Sequence, residues 1–188
     1  MRTSIRLFTA LLLVLGLTAC GGPATDGAGP TAQTPADATT TDPLADLVVD
    51  GRPTGGSSIT AAKQNVQSGQ AITIHGRVGG KRQPFITGRA AMLVADPEAI
   101  VACDAKPDDH CKYPWDFCCE PADAIAAATA LVQVTDAEGQ ALAQSLEGVG
   151  GLSPGDHVVV EGKVSAAAGG NLVINANRIH RTPHATTH

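Results

Sequence analysis

Aromatic side chains are scarce in this chain. Its 188 residues include three Phe, one Tyr and one Trp, and three of these five (Tyr113, Trp115 and Phe117) fall in one short stretch. That scarcity argues against a nucleic-acid surface built on base stacking. It also leaves Val, Ile, Leu and Ala to make the core. Positive charge is short as well, with 13 Lys and Arg against 18 Asp and Glu. The resulting net charge of −5 opposes nonspecific attraction to nucleic acid or to an anionic bilayer surface. No apolar run reaches the roughly 20 residues of a membrane-spanning helix. GxSxG, HExxH, P-loop and GxGxxG motifs are all missing, and Ser145 and Ser153 stand in loops with no motif around them. The expectation is a protein without catalytic function, and no cofactor is implied.

The N-terminal segment has an ordered polarity. Arg2 and Arg6 open it, the apolar run Leu7–Leu17 follows, and the small residues Thr18 and Ala19 lead to Cys20. A basic start, an apolar stretch of about 7–15 residues and small residues at the cut form a secretory signal peptide, here residues 1–19. Leu17-Thr18-Ala19-Cys20 resembles the bacterial lipobox. The resemblance implies that Cys20 is lipidated and becomes the mature N-terminus. It also implies more than one acyl chain, which anchors stably where a single chain does not. Gly21-Gly22 follows with no Asp beside the cysteine, which in a Gram-negative cell favours the outer membrane, facing the periplasm. The expected location is therefore the cell envelope, with the membrane as a partner through the lipid. Arg2 and Arg6 leave with the signal, so the mature chain carries 11 basic against 18 acidic residues.

Residues 20–57 read as the lipidated cysteine and a flexible tether, in which Leu44–Asp50 could dock briefly before Gly51–Ser58 restores loop composition. Residues 21–43 are almost all Gly, Pro, Ala, Thr and Asp, too little apolar surface to offset ordering entropy. The folded domain is expected over 58–182, with a frayed tail at 183–188. Thr60–Val66 is expected to be a short helix. Ala71–Val78 alternates, placing Ile72, Ile74 and Val78 on one face. Further strands are expected at Arg89–Asp96, Ala130–Thr135, Asp156–Val164 (with Val158, Val160 and Val164 inward) and Leu172–Ile179, bounded by Gly and Pro turns.

Five strands, a helix-like piece at Ala141–Leu146 between the third and fourth, and the closing pair DHVVVEGKV…NLVINANRI resemble the OB-fold. The expected fold is all-β, a small five-stranded OB-like barrel. The resemblance implies ligand binding on the face around its second and third strands. Its loops joining strands 1–2 and 4–5 take part, here Gly79–Pro84 and Ser165–Asn171. The segments GGKRQPF, GRA and PWDFCC are similar to those of exported bacterial proteins with a Cys-rich insertion; that likeness implies no function.

The insertion, residues 97–128, lies between the second and third of these strands and holds Cys103, Cys111, Cys118 and Cys119. An even count outside the cytoplasm leads to the expectation of a disulfide staple. Cys118 with Cys119 would close a strained ring, which leaves two pairings: Cys103–Cys118 with Cys111–Cys119, or Cys103–Cys119 with Cys111–Cys118. The alternative is metal handling or thiol redox chemistry, with the four thiols and His110 as ligands for copper(I) or zinc. The C-x7-C-x6-C-C spacing is not the paired CxxC of structural zinc sites, and no CxxC redox motif is present. Trp115 is expected to plug the insertion, or else to present a stacking or partner-binding patch.

Arg77, Lys81, Arg82 and Arg89 cluster in sequence around the first loop, where a barrel would gather them into a basic patch for an anionic ligand. The partners that remain are such an anion or another envelope protein, and nucleic acid is disfavoured by the charge. His180, His184 and His188 are spaced by four, but Pro183 opposes the helix that would align them as a chelating tail. His75 and His157 read as isolated residues on strand faces.

Overall fold

The computed structural model describes residues 42–184, apart from 52, 54, 108, 109 and 169. The signal segment, Cys20, the tether up to residue 41 and His188 lie outside the described residues. Among the described residues no helix is long and apolar enough to cross a membrane.

The strands are β1 (Val48–Asp50), β2 (Ala71–Val78), β3 (Ala91–Ala95), β4 (Thr129–Gln133), β5 (His157–Ala168) and β6 (Asn171–Thr182). Two helices join them, α1 (Ile59–Asn65) and α2 (Ala122–Ala127). Strands β2, β3 and β4 pair antiparallel in succession, and β4 pairs parallel with β6. β6 returns antiparallel to β5, and β5 to β2, so the sheet closes. This is the strand order of an OB-like barrel. Alternation fills the interior: Ile74 and Val78 of β2, Met92 and Val94 of β3, Val158, Val160 and Val164 of β5, and Ile174 and Ile179 of β6 are all buried.

Closing five strands requires sharp bends. β5 and β6 slip register between Glu161 and Gly162 and again between Val164 and Ala166, and such bulges bend a strand and increase its twist. At the bend a Cβ on Gly162 would collide with the Asn175 carbonyl. A Cβ on Gly76 would lie 2.5 Å from Val94 Cγ1. These are the close backbone approaches that call for glycine inside a strand.

The folded domain starts earlier than the composition suggests. Leu44, Leu47 and Val48 are buried, and β1 pairs parallel with β6 outside the barrel proper. Asp42 caps this segment by accepting from the Leu44 N–H at 2.9 Å. α1 is capped by Ser58 and buries Ile59 and Ala62, an i, i+3 pair. Thr60 donates from its backbone N–H and its hydroxyl to the fully buried Asp96, at 3.0 and 2.5 Å, tying the helix to the end of β3. Burial alone would raise the Asp96 carboxyl, but these bonds and the Glu98 N–H outweigh it and hold it below its ordinary value. The expected helical piece at Ala141–Leu146 is absent. The chain there is a bridge and bends, with Thr135 facing Ala141 and Leu146 buried. The connection from β4 to β5 holds only a 3-10 turn at Val149–Gly151, and α2 lies in the insertion between β3 and β4.

Candidate functional site

On the outer face of the barrel Leu93 of β3 is the register partner of Leu131 of β4, which is the partner of Val173 of β6. Their sequence neighbours Met92, Val94, Ala130, Val132, Leu172 and Ile174 point inward and are buried, so strand alternation sends this row outward. The three side chains are half-buried and form the floor of a cleft of about 860 Å³. One wall is the β2–β3 connection, with Gly80, Lys81 and Arg82. The β5–β6 hairpin gives Ala166 and Asn171, and α2 gives Ala122, Ile125 and Ala126. Thr129 donates its hydroxyl to the Ile125 carbonyl at 2.9 Å, fixing the helix over the strand. One rung farther along the face is polar, with Gln133 Nε2 donating to Asn175 Oδ1 at 2.9 Å. The volume lies within the range of small-molecule sites, which are mostly apolar with a few polar groups.

The four basic residues around the first loop part company. Lys81 and Arg82 line the cleft. Arg89 is exposed and does not line it. Arg77 is buried and committed elsewhere: Nη1 and Nη2 grip both Asp104 oxygens at 2.8 and 2.5 Å, and Nε donates to the Gly155 carbonyl at 3.0 Å. It is therefore unavailable to an anion. It bolts the insertion to the barrel, since Asp104 belongs to a 3-10 turn at Cys103–Ala105. Burial would raise the Asp104 carboxyl, but the Arg77 guanidinium, with His184 beside it, holds it below the usual carboxylate range.

The structure does not support the expected disulfide staple of the insertion: no bridge joins Cys103, Cys111, Cys118 or Cys119. Its thiols stand 3.6 Å (Cys103–Cys118) and 4.0 Å (Cys111–Cys118) apart, well beyond the roughly 2.05 Å of an S–S bond. The segment is held by other means. The Cys103 N–H donates to the Asp116 carbonyl at 3.0 Å, and the Asp104 N–H to the Pro114 carbonyl at 3.2 Å. Lys106 Nζ bonds Glu120 Oε1 at 2.7 Å. Its hydrophobic plug is Phe117, fully buried with Ala95, Ile100, Ala102 and Ala128. Trp115, expected in that place, is half-buried at the surface. Its indole N–H donates to the Arg82 carbonyl at 3.0 Å, and its ring meets Tyr113 edge-on at 5.9 Å. Arg82 in turn lies over the Tyr113 ring, 5.0 Å from its centre. The insertion thus props up the basic wall of the cleft.

Of the expected metal ligands, Cys103, Cys111 and Cys118 converge, with all three sulfurs within 4.8 Å of one another. Cys119 and His110 lie outside that group. Burial, then the neighbouring Cys118 and Cys111 sulfurs, push the Cys103 thiol up. At Cys118 the bond with Cys103 lowers the thiol, but Cys111 and desolvation outweigh it and the net shift is upward. The histidines fall into two groups. His75 pairs with Glu98 at 3.1 Å and His180 with Glu161 at 3.0 Å, and both line a small pocket of about 120 Å³ with His157. His184 turns instead to Asp104, so it shares no face with His180.

The outward row Leu93–Leu131–Val173 escapes sequence reading. AMLVA and ALV are apolar at both parities, so the alternation that marks a solvated face is absent there. A short strand apolar on both faces, next to the ligand loops of the resembled fold, was the available signal. No family model matches this chain, and neither a curated protein nor a solved structure matches it significantly.

Proposed function

We propose that this chain is a lipid-anchored binding module of the cell envelope that holds an amphipathic anion in the cleft over Leu93, Leu131 and Val173. One observation carries the reading: an in-register apolar row forms the floor of a cleft lined by two cations, Lys81 and Arg82, against one carboxylate, Asp116, which accepts from the Phe117 N–H. An acyl chain would lie along the floor, and its acidic head would meet the two cations. The same strands and loops bind ligands in OB-folds, which supports the placement.

Decanoate is the probe. Titrated into the isotope-labelled domain, it is expected to shift the amides of residues 93, 129–131 and 171–173. Leu131→Glu should abolish those shifts, because a carboxylate on the floor repels the head and spoils the apolar surface. Lys81→Glu with Arg82→Glu should weaken binding about tenfold, the equivalent of roughly 1.4 kcal/mol. Equal binding of a cationic amphiphile of the same chain length would reject the charge assignment.

The anchoring half of the reading has its own test. Cells fed labelled palmitate should incorporate it into the wild-type chain and not into Cys20→Ser, which should leave the membrane fraction. Label retained by Cys20→Ser would refute Cys20 as the anchor.

A further inference from the structure

We infer that Cys103, Cys111 and Cys118 form a copper(I) site, a function separate from the ligand cleft and independent of it. The three thiols come from distant points of the insertion and converge without a bridge. Cys103 stands on the 3-10 turn that Arg77 bolts down through Asp104. Cys118 follows the buried Phe117, and Cys111 joins from the other arm of the loop, its thiol near the Tyr113 carbonyl at 3.5 Å.

The spacing suits a metal better than a bond between sulfurs. An ion about 2.3 Å from each sulfur sets its ligands about 4.0 Å apart in a trigonal plane and about 3.8 Å apart in a tetrahedron. Two of the three separations, 3.6 and 4.0 Å, lie close to these values, and the third, Cys103–Cys111, is within 4.8 Å. Little movement is therefore needed to admit an ion, whereas a disulfide would require one pair to close by more than an ångström.

The donor set decides which ion. Three thiolates are soft ligands, which select copper(I), zinc or iron–sulfur clusters. Structural zinc takes four ligands, and among the described residues the converging group supplies three. Three soft sulfurs suit a monovalent soft ion, for which three ligands complete the coordination. Binding is a proton exchange and involves no electron transfer: Cu⁺ and three thiols give a tris-thiolate copper(I) anion and three protons. The affinity should therefore rise with pH.

The test uses the full mature chain, reduced and kept free of oxygen, titrated with copper(I) against the chelator bicinchoninate. One copper(I) per chain is expected, with X-ray absorption reporting sulfur neighbours and no nitrogen. Cys111→Ser and Cys118→Ser, both away from the core, should each weaken binding by at least about a hundredfold, more than the loss of an outer-shell partner usually costs. Cys119→Ser should leave it unchanged. Circular dichroism of each variant confirms that the barrel is intact. Wild-type affinity in Cys111→Ser or Cys118→Ser would overturn the assignment. So would a requirement for Cys119 or His110, stoichiometric zinc with no copper(I) binding, or a natively isolated protein in which Cys103 and Cys118 are bonded to each other.

Discussion

Leu44→Ala is expected to lower the stability of the domain by about 3 kcal/mol, within the range of roughly 2–5 kcal/mol for emptying a buried leucine site. Composition places Leu44 in a tether that docks at most briefly, where the same change would cost little. In the structure it is fully buried in the main core. The segment around it is registered on the barrel edge: the Ile179 N–H donates to the Leu47 carbonyl at 2.8 Å, and the Gly51 N–H to the Arg181 carbonyl at 3.1 Å. Arg181 also reaches Asp50 at 3.2 Å and the buried Asp156 at 3.4 Å. Urea denaturation measures the effect directly. A midpoint indistinguishable from wild type would mean that residues 42–50 do not belong to the fold.

Arg77→Ala is expected to cost about 2–3 kcal/mol, because a buried guanidinium loses charge-assisted hydrogen bonds to an Asp104 that itself reaches solvent. The loss leaves the Asp104 carboxylate and the Gly155 carbonyl without their donor. Arg77→Lys should recover only part of it, because an ammonium cannot reproduce the two-pronged grip on both carboxylate oxygens. The change should also loosen the insertion, and the buried Cys103 thiol reports that: alkylation, slow in the native protein, should become fast in Arg77→Ala. The pair adds a pH dependence of known sign. The folded-state Asp104 carboxyl lies below its unfolded value of about 3.9. Its contribution is therefore complete above that value and is lost as pH falls through the folded one. Wild type and Arg77→Ala should converge in stability under acid conditions. A constant gap between them down to the lowest pH at which both fold would contradict the assignment.

How much of this was legible depends on the residue. Ala71–Val78 was readable to its ends because its alternation and closing glycines are local signals. β5 and β6 were placed correctly but too short. Ala166, Ala167 and Asn171 carry little apolar pattern, and it is the pairing across the hairpin that makes them strand. β1 was missed because three residues show no period, and only β6 gives them a partner. α2 was missed because ADAIAA has one large apolar residue and no capping side chain. Composition could not tell Trp115 from Phe117 as the plug. The indole has an N–H that must find an acceptor, and it finds one at the surface, leaving the phenyl ring for the interior. Arg77 reads as solvated in β2 because its partner lies 27 residues away. The cysteine spacing named the candidates for a site, but convergence of three of them needs the 3-10 turn and the Phe117 anchor, which no spacing encodes.

The central claim is that the outward apolar row is a binding floor, and its most direct test is where a bound chain lies. Isotope-filtered NOEs should connect decanoate methylenes to the methyl groups of Leu93, Leu131 and Val173, with the carboxylate end toward Lys81 and Arg82. A folded domain that shows no such NOEs at saturating decanoate, or only NOEs to residues away from this face, would contradict the account.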